Sequence, residues 1–179
     1  MKTRLPLFLL LFLQTLSATA FTGNATDSLN YYTSFDGTRI HYTVKGAGKP
    51  VLLVHGFIAN GESWKKTALY DSLLLHGFKV ITLDLRGNGA SDHPHDSAAY
   101  LNDAEARDIM GLISYLGIPA YQAVGYSRGS IIVARLLVLD TRVGSAVLGG
   151  MGTGFTDPAW PRRILFYEAL SGKEVPELA

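Results

Sequence analysis

Residues 125–129 read G-Y-S-R-G and have the form G-x-S-x-G, the pattern of a serine nucleophile placed on a sharp turn. Such a serine must lie between a buried strand and a buried helix. The preceding residues 121–126 (YQAVGY) favour a buried strand, and residues 127–139 (SRGSIIVARLLVL) are apolar nearly all round, which predicts a deeply buried helix. This context predicts that Ser127 is a catalytic nucleophile. The alternative is a tight turn whose serine only caps the helix.

Two glycines flank the serine at the positions where strand and helix must come close together. Gly125 and Gly129 have no Cβ, and we predict that the turn requires both for this reason. The N-terminus of the helix behind Ser127 would offer positive potential and free N–H groups to a developing oxyanion. A serine hydroxyl is nevertheless a poor nucleophile without a base, which is normally a histidine held by a carboxylate.

The histidines and cysteines limit the other chemistry that the chain can carry. All five histidines lie before Ser127, and there is no cysteine, which excludes a thiolate nucleophile, a disulfide framework and a Cys-ligated metal. Residues 93–96 (HPHD) could suggest a metal site, but histidines in such a polar loop are more often solvated, and we predict no metal. His41 and His76 carry no functional signal at this level.

Strand and helix signals alternate along the part of the chain that must position Ser127. Four nearly continuous apolar runs predict strands buried on both faces of a parallel sheet: 51–56, 79–85, 121–126 and 145–150. Helices are predicted between them, over residues 62–75 and after a capping box formed by Asn102 and Glu105, the latter helix ending at Gly117. The alternation predicts an α/β fold with a mostly parallel, doubly wound sheet.

An antiparallel edge is predicted before the parallel strands. The segments YYTSF (31–35) and RIHYTVK (39–45) are rich in strand formers and are separated by Asp36-Gly37, a hairpin signal.

The first twenty residues have the layout of a secretory signal peptide. Lys2 and Arg4 precede an apolar run over residues 5–13, and residues 18–20 (ATA) offer a cleavage site. The run is too short for a membrane-spanning helix, which needs about 20 apolar residues, although an uncleaved anchor is the alternative. We therefore predict that residues 1–20 are a signal peptide and that the protein is exported, to the periplasm or the medium.

Composition indicates a globular chain without a polyanionic partner. Hydrophobic residues make up 47% of the 179 residues and charged residues 17%, which disfavours disorder. The formal net charge is +1 and there is no run of Lys or Arg, so we predict no nucleic-acid partner and no membrane contact beyond the signal peptide.

Three ordered motifs together resemble the α/β-hydrolase superfamily, in its lipase-and-esterase-like branch. They are residues 55–57 (HGF), 84–91 (DLRGNGAS) and 125–129 (GYSRG), each after a predicted strand. The resemblance covers about residues 30–150 and implies an α/β-hydrolase fold, with residues 28–152 as the N-terminal part of its core.

The resemblance implies a role for each matching position. Ser127 matches the nucleophile, and the backbone N–H groups of Phe57 and Arg128 match the two donors of the oxyanion hole. Arg128 departs from the apolar residue common at its position, so its side chain would either line the pocket or point away from it. His55 resembles a structural histidine that ties down the oxyanion loop, although it is also a candidate base. Asp84 and its neighbours in the second motif resemble a glycine-rich turn near the site.

The family's chain order, Ser then Asp or Glu then His, leaves the partners of Ser127 unassigned. No histidine follows Ser127, and among the acids that do, only Asp157 lies near a position that some members use. The strand pattern also stops at Gly150. We therefore predict an incomplete sheet on the C-terminal side, with residues 153–179 as the start of a truncated cap region, so that the chain represents a fragment with little activity of its own.

The resemblance and the residues together predict an exported serine hydrolase that needs no cofactor and acts on a small-molecule carboxylic ester or related acyl compound. Carbon–carbon hydrolysis, cofactor-free haloperoxidase activity and amide hydrolysis remain open, because one constellation serves all of these reactions. A serine instead of an aspartate argues against epoxide-hydrolase or dehalogenase chemistry. A degenerate hydrolase fold acting as a non-catalytic binding protein is the remaining alternative.

Overall fold

The computed structural model of the chain describes residues 30–152, and most of this range is strand or helix. The strands are β1 (Asn30–Thr33), β2 (Arg39–Lys45), β3 (Pro50–Val54), β4 (Lys79–Leu83), β5 (Tyr121–Tyr126) and β6 (Val143–Gly149). The α-helices are α1 (Ala68–Leu75), α2 (Ala104–Tyr115) and α3 (Arg128–Leu139), and two 3₁₀ helices cover Gly61–Lys66 and Ser97–Tyr100.

The described strands form one mixed sheet in the order β1-β2-β4-β3-β5-β6. Strands β4, β3, β5 and β6 are parallel to one another. Strand β2 pairs antiparallel with β4, and β1 pairs antiparallel with β2 at the edge of the sheet. The predictions of an α/β fold, a mostly parallel sheet and an antiparallel hairpin at one edge are confirmed. The carboxyl ends of β3, β4 and β5 therefore lie along one side of the sheet, which is where ligands bind in such folds.

Both faces of β3 and β4 are buried, as their apolar runs predicted. Burial on both faces is wrong for the other two runs within the described residues, because β5 is buried only at alternate residues and β6 is exposed or half-buried, with Val147 61% exposed. On β3, Leu52 and Val54 pack in the cluster that contains the buried residues of α2 and α3, such as Ile109 and Val133. The alternate residues Val51 and Leu53 pack in a second cluster with residues of α1. Because successive strand residues point to opposite faces, a continuous apolar run supplies both layers.

The single helix predicted over residues 62–75 is wrong in detail. A 3₁₀ helix ends at Lys66 and α1 begins at Ala68, with Thr67 between them in an extended conformation. The Thr67 hydroxyl accepts a hydrogen bond from the backbone N–H of Tyr70, so Thr67 acts as the N-cap of α1. The chain then leaves α1 through Gly77, whose φ is +75°.

The capping box predicted at Asn102 and Glu105 is also wrong. Helix α2 begins at Ala104 with Asp103 as its N-cap, and no side chain makes a capping hydrogen bond. The side chains of Asp103 and Glu105 instead form ion pairs with α3. Asp103 binds Arg135, and Glu105 binds Arg128. The competing ion pairs with α3 explain why the local capping pattern is not realised.

The prediction that α3 is buried all round holds for one face only. Ile132 and Leu136 pack into the core, whereas Leu137 and Val138 are 49% and 73% exposed.

No helix within residues 30–152 is long and apolar enough to cross a membrane. The predicted signal peptide (1–20), the predicted cap region (153–179) and Asp157 lie outside the described residues.

Candidate active site

Ser127 lies at the turn from β5 into α3, in a backbone conformation that L-residues rarely adopt. Its φ is 54° and its ψ is −119°. Its backbone N–H donates to the carbonyl oxygen of Gly149 at the end of β6, with an N···O distance of 2.8 Å. Although Ser127 occupies the N-cap position of α3, its side chain makes no capping hydrogen bond. The hydroxyl is therefore not used to stabilise the helix, which was the alternative to a chemical role.

The two flanking glycines lie where the strand, the helix and the loop after β3 touch. A Cβ at Gly125 would lie 2.4 Å from the carbonyl oxygen of Gly129, and a Cβ at Gly129 would lie 2.2 Å from that of Val54. These neighbours are backbone atoms, which cannot move aside as a flexible side chain could. The close approach that supports the turn therefore requires glycine at both positions.

A cavity of about 440 Å³ opens beside Ser127. It is lined by His55, Gly56, Phe57, Ala59, Ser63, Trp64, Thr67, Tyr126 and Ser127. None of these residues is Asp, Glu, Lys or Arg, and three of them are aromatic. The indole N–H of Trp64 is buried and has no acceptor in the part of the chain that the structure describes. The cavity wall beside Ser127 is thus neutral and largely apolar.

The loop after β3 brings Phe57 to the same cavity as Ser127. A Cβ at Gly56 would lie 3.3 Å from the Cβ of Ser127, so this loop passes directly against the serine. Ile58 follows with a φ of 54°, an unusual conformation for a β-branched residue. Within residues 30–152, the backbone N–H groups of Phe57 and Arg128 donate to no acceptor. Neither N–H is therefore taken up by another acceptor in this part of the chain.

His55 is engaged at both ring nitrogens and is only 1% exposed. Its Nε2 accepts a hydrogen bond from the backbone N–H of Leu85 at 3.0 Å, so the ring proton is on Nδ1, which donates to the carbonyl oxygen of Gly56 at 2.8 Å. Burial lowers the pKa of the imidazole, although the bond to Gly56 opposes this shift. His55 joins the loops after β3 and β4, and neither nitrogen is free to accept the Ser127 proton.

Comparison with known proteins identifies the family of this chain. A sequence model described as the alpha/beta hydrolase fold matches residues 49–166. The chain belongs to the α/β-hydrolase family. The resemblance on the three sequence motifs is therefore confirmed.

The relatives of this α/β-hydrolase carry the names of several different enzymes. A non-heme haloperoxidase from Rhodococcus erythropolis is 35% identical over 125 residues, which cover 67% of this chain and 43% of that protein. Epoxide hydrolase 3 from Siraitia grosvenorii is 36% identical over 97 residues, covering 54% and 30%. The structure of an esterase from Exiguobacterium antarcticum has a TM-score of 0.60 at 30% identity, covering 66% of this chain and 43% of that one. The chain spans less than half the length of these curated relatives.

In this α/β-hydrolase the Arg128 side chain is directed to α2. Its Nη2 atom donates to the Glu105 Oε1 atom at 2.5 Å, and the pair is largely buried. Burial raises the pKa of the Glu105 carboxyl, while the Arg128 guanidinium opposes that shift. Arg128 is absent from the lining of the cavity, so the charged side chain that follows the serine leaves the cavity neutral.

Asp84 organises the hydrolase loops around the site rather than contacting Ser127. Its Oδ1 atom accepts from the backbone N–H of Gly61 at 2.7 Å, and its Oδ2 atom accepts from that of Ala90 at 2.8 Å. The Nδ1 atom of His41 lies 3.0 Å from Oδ2, and both side chains are buried. His41 carried no signal in the sequence, because its partner lies 43 positions away.

Arg86 is fully buried and is held by two carboxylates. Asp108 on α2 accepts from its Nε and Nη2 atoms at 2.7 and 2.6 Å, and Asp36 accepts from Nη1 at 2.8 Å. Burial alone would raise the pKa of Asp36, but hydrogen bonds from Arg86 and Thr38 outweigh it and hold this pKa at about 2. The network ties the glycine-rich turn after β4 to α2 and to the β1–β2 hairpin. Asp108 was missed in the sequence, since a helical aspartate is normally solvated.

The histidines of residues 93–96 do not gather metal ligands. His93 and His95 are exposed, and the Nε2 atom of His93 lies 3.2 Å from the carbonyl oxygen of Gly89. No group of three or more His, Asp or Glu side chains that could bind a metal ion occurs within residues 30–152.

Proposed function

We propose that the protein is an exported hydrolase that uses Ser127 as the nucleophile on a carboxylic ester or a related acyl compound. The observation that supports this proposal best is the strained backbone of Ser127, whose hydroxyl is not used to cap α3 and which lines a cavity. Strained residues persist where function selects them and the surroundings impose them.

The mechanism would begin with attack of the Ser127 hydroxyl oxygen on the acyl carbon. The oxyanion that forms would accept hydrogen bonds from the backbone N–H groups of Phe57 and Arg128, which have no other acceptor within residues 30–152. Each such donor is worth about 3 kcal/mol of barrier. The leaving alcohol departs, and water then hydrolyses the acyl-enzyme.

The proton of Ser127 needs a base, and His55 is already occupied by Gly56 and Leu85. In the whole protein we expect a histidine that follows Ser127 in the chain, as the family order implies. Because the chain spans less than half the length of its curated relatives, the activity proposed is that of the whole protein.

The cavity favours a neutral, apolar acyl group. Its wall includes the aromatic side chains of Phe57, Trp64 and Tyr126 and carries no formal charge. A carboxylate on the acyl group would lose its hydration there without gaining an ionic partner, because Arg128 is paired with Glu105.

Haloperoxidase activity is the second candidate. The Rhodococcus erythropolis relative that bears this name is similar in sequence to 67% of the chain. Epoxide hydrolysis is less well supported despite the similarity in sequence, because Ser127 stands where that chemistry uses a carboxylate. A non-catalytic hydrolase fold is the outcome to expect if no substrate is turned over.

The test is a panel of p-nitrophenyl esters, with halide oxidation measured alongside. We expect the wild-type protein to hydrolyse a butyrate ester at least tenfold faster than the corresponding succinate half-ester, and Ser127→Ala to lose at least about a thousandfold in kcat. Equal rates for wild type and Ser127→Ala would overturn the assignment of the nucleophile.

Export is a separate part of the proposal and has its own test. The N-terminal sequence of the protein recovered from the periplasm or the medium should begin at Phe21, after cleavage behind Ala20. Recovery from the cytoplasm with an intact N-terminus would contradict it.

A further inference from the structure

The strained turn at Ser127 depends on the position of the neighbouring strand end. The carbonyl oxygen of Gly149, the last residue of β6, accepts the backbone N–H of Ser127 at 2.8 Å. A conformation of this kind persists only where several contacts impose it. The position of the Gly149 carbonyl is therefore part of what holds the serine.

Ser130 places a buried hydroxyl at the same carbonyl. It is 0% exposed, and its Oγ atom lies 2.7 Å from the oxygen of Gly149 and 2.8 Å from that of Gly125. These two carbonyls belong to the adjacent ends of β5 and β6. The hydroxyl has one proton to donate and both carbonyl oxygens lie within hydrogen-bond distance of Oγ, so the side chain bridges the two strand ends.

The Gly149 carbonyl thus receives two donors, the N–H of Ser127 and the hydroxyl of Ser130. A carbonyl oxygen has two lone pairs and can accept both. Without the hydroxyl, the Gly149 carbonyl would keep, among the donors of residues 30–152, only its bond to the strained residue, and an apolar methyl group would face both carbonyls.

We propose that Ser130 is a positioning residue for the nucleophile. Its hydroxyl holds the ends of β5 and β6 together, so that the Gly149 carbonyl keeps the N–H of Ser127 and fixes the turn. The catalytic part of this inference rests on the proposed function, because it concerns Ser127 as a nucleophile. If the Ser130 hydroxyl only met the hydrogen-bonding needs of the protein interior, its removal would lower the stability of the fold but leave the reactivity of Ser127 unchanged.

The test compares Ser130→Ala with Ser34→Ala in the protein produced from its complete reading frame. Ser34 is a matched control, because its buried hydroxyl donates to Asp108 on α2 and not to the turn. Three quantities are measured: the thermal midpoint, the rate of labelling of Ser127 by a fluorophosphonate, and amide hydrogen exchange at Ser127 resolved by NMR.

We expect Ser130→Ala to label about tenfold more slowly than wild type, with the ester KM changed less than twofold, and to exchange the Ser127 amide at least tenfold faster. Ser34→Ala should match wild type in both quantities. Labelling and exchange within twofold of wild type in Ser130→Ala would overturn the proposal. If Ser130→Ala does not fold, Ser130→Cys, which keeps a weaker donor, should label about threefold more slowly, and an unchanged rate would overturn it equally.

The exchange measurement separates this inference from the proposed function. Absence of labelling in the wild-type protein would contradict a nucleophilic Ser127. Faster exchange of the Ser127 amide in Ser130→Ala would still support the positioning contact, and unchanged exchange would refute it.

Discussion

Replacing Ser127 by glycine should stabilise the fold relative to replacing it by alanine, which is the reverse of the usual order. At φ 54° and ψ −119° a residue with a Cβ is strained, whereas glycine adopts such a conformation freely. Both variants lack the hydroxyl, so their difference isolates the backbone strain from the loss of the side-chain oxygen.

The size of this effect follows from two opposing contributions. Relief of the strain should stabilise Ser127→Gly by about 1–3 kcal/mol. The greater flexibility of glycine in the unfolded chain should remove about 0.5–1 kcal/mol of that gain. We therefore expect Ser127→Gly to be more stable than Ser127→Ala by up to about 2.5 kcal/mol, although neither variant should be active.

Urea unfolding followed by circular dichroism measures this difference. The comparison requires that the free energy of unfolding falls with urea concentration at the same slope in both variants. A lower midpoint for Ser127→Gly than for Ser127→Ala would refute the reasoning. Such a result would mean that the turn is not strained and that the backbone conformation of Ser127 does not support a functional role for this residue.

Three further predictions concern the surroundings of the site. Gly129→Ala should lower the free energy of unfolding by about 1–3 kcal/mol in urea, because the new Cβ meets backbone atoms, whereas Gly144→Ala, whose Cβ would have its nearest neighbour at 3.9 Å, should cost nothing measurable. Arg86→Met should cost about 3–5 kcal/mol by leaving two carboxylates unpaired, and the exposed Arg39→Met should change the urea midpoint little. Burial lowers the pKa of His55, so the stability linked to its neutral ring is present above the ordinary histidine pKa of about 6.5 and is lost below it. The stability advantage of wild type over His55→Gln should accordingly shrink from pH 7 to pH 5, and a constant difference would contradict the neutral, buried ring.

Much of the fold was predictable because burial on both faces leaves a clear sequence signal. The run at residues 51–56 has apolar residues at successive positions, and the structure divides them between the two core clusters. The hairpin at Asp36-Gly37 was predictable for a similar reason, since turn residues separate two segments rich in strand formers. Pattern and packing agree at these places.

The errors arose where tertiary contacts compete with local patterns. Asn102 and Glu105 have the spacing of a capping box, but Glu105 pairs with Arg128 from α3. The apolar composition of α3 did not reveal that Val138 is exposed, because the position of one helix face depends on the neighbouring elements. The sequence could not show these partners, which are distant along the chain.

The same distinction holds for the candidate site, whose motif residues were predictable from the sequence and whose supporting residues were not. Ser127 and its glycines follow from a short motif with a physical reason for each position. The supports of the site do not, because Asp108 reaches Arg86 across 22 positions and Ser130 reaches Gly149 across 19. Such residues are ordinary helix members until the fold places a partner beside them.

Covalent labelling of Ser127 tests the central claim most directly. The protein produced from its complete reading frame is treated with a fluorophosphonate, digested, and mapped by mass spectrometry. We predict a single adduct on the peptide that contains Ser127, and no adduct in Ser127→Ala. A folded wild-type protein that remains unlabelled, or an adduct on another residue that persists in Ser127→Ala, would contradict the account.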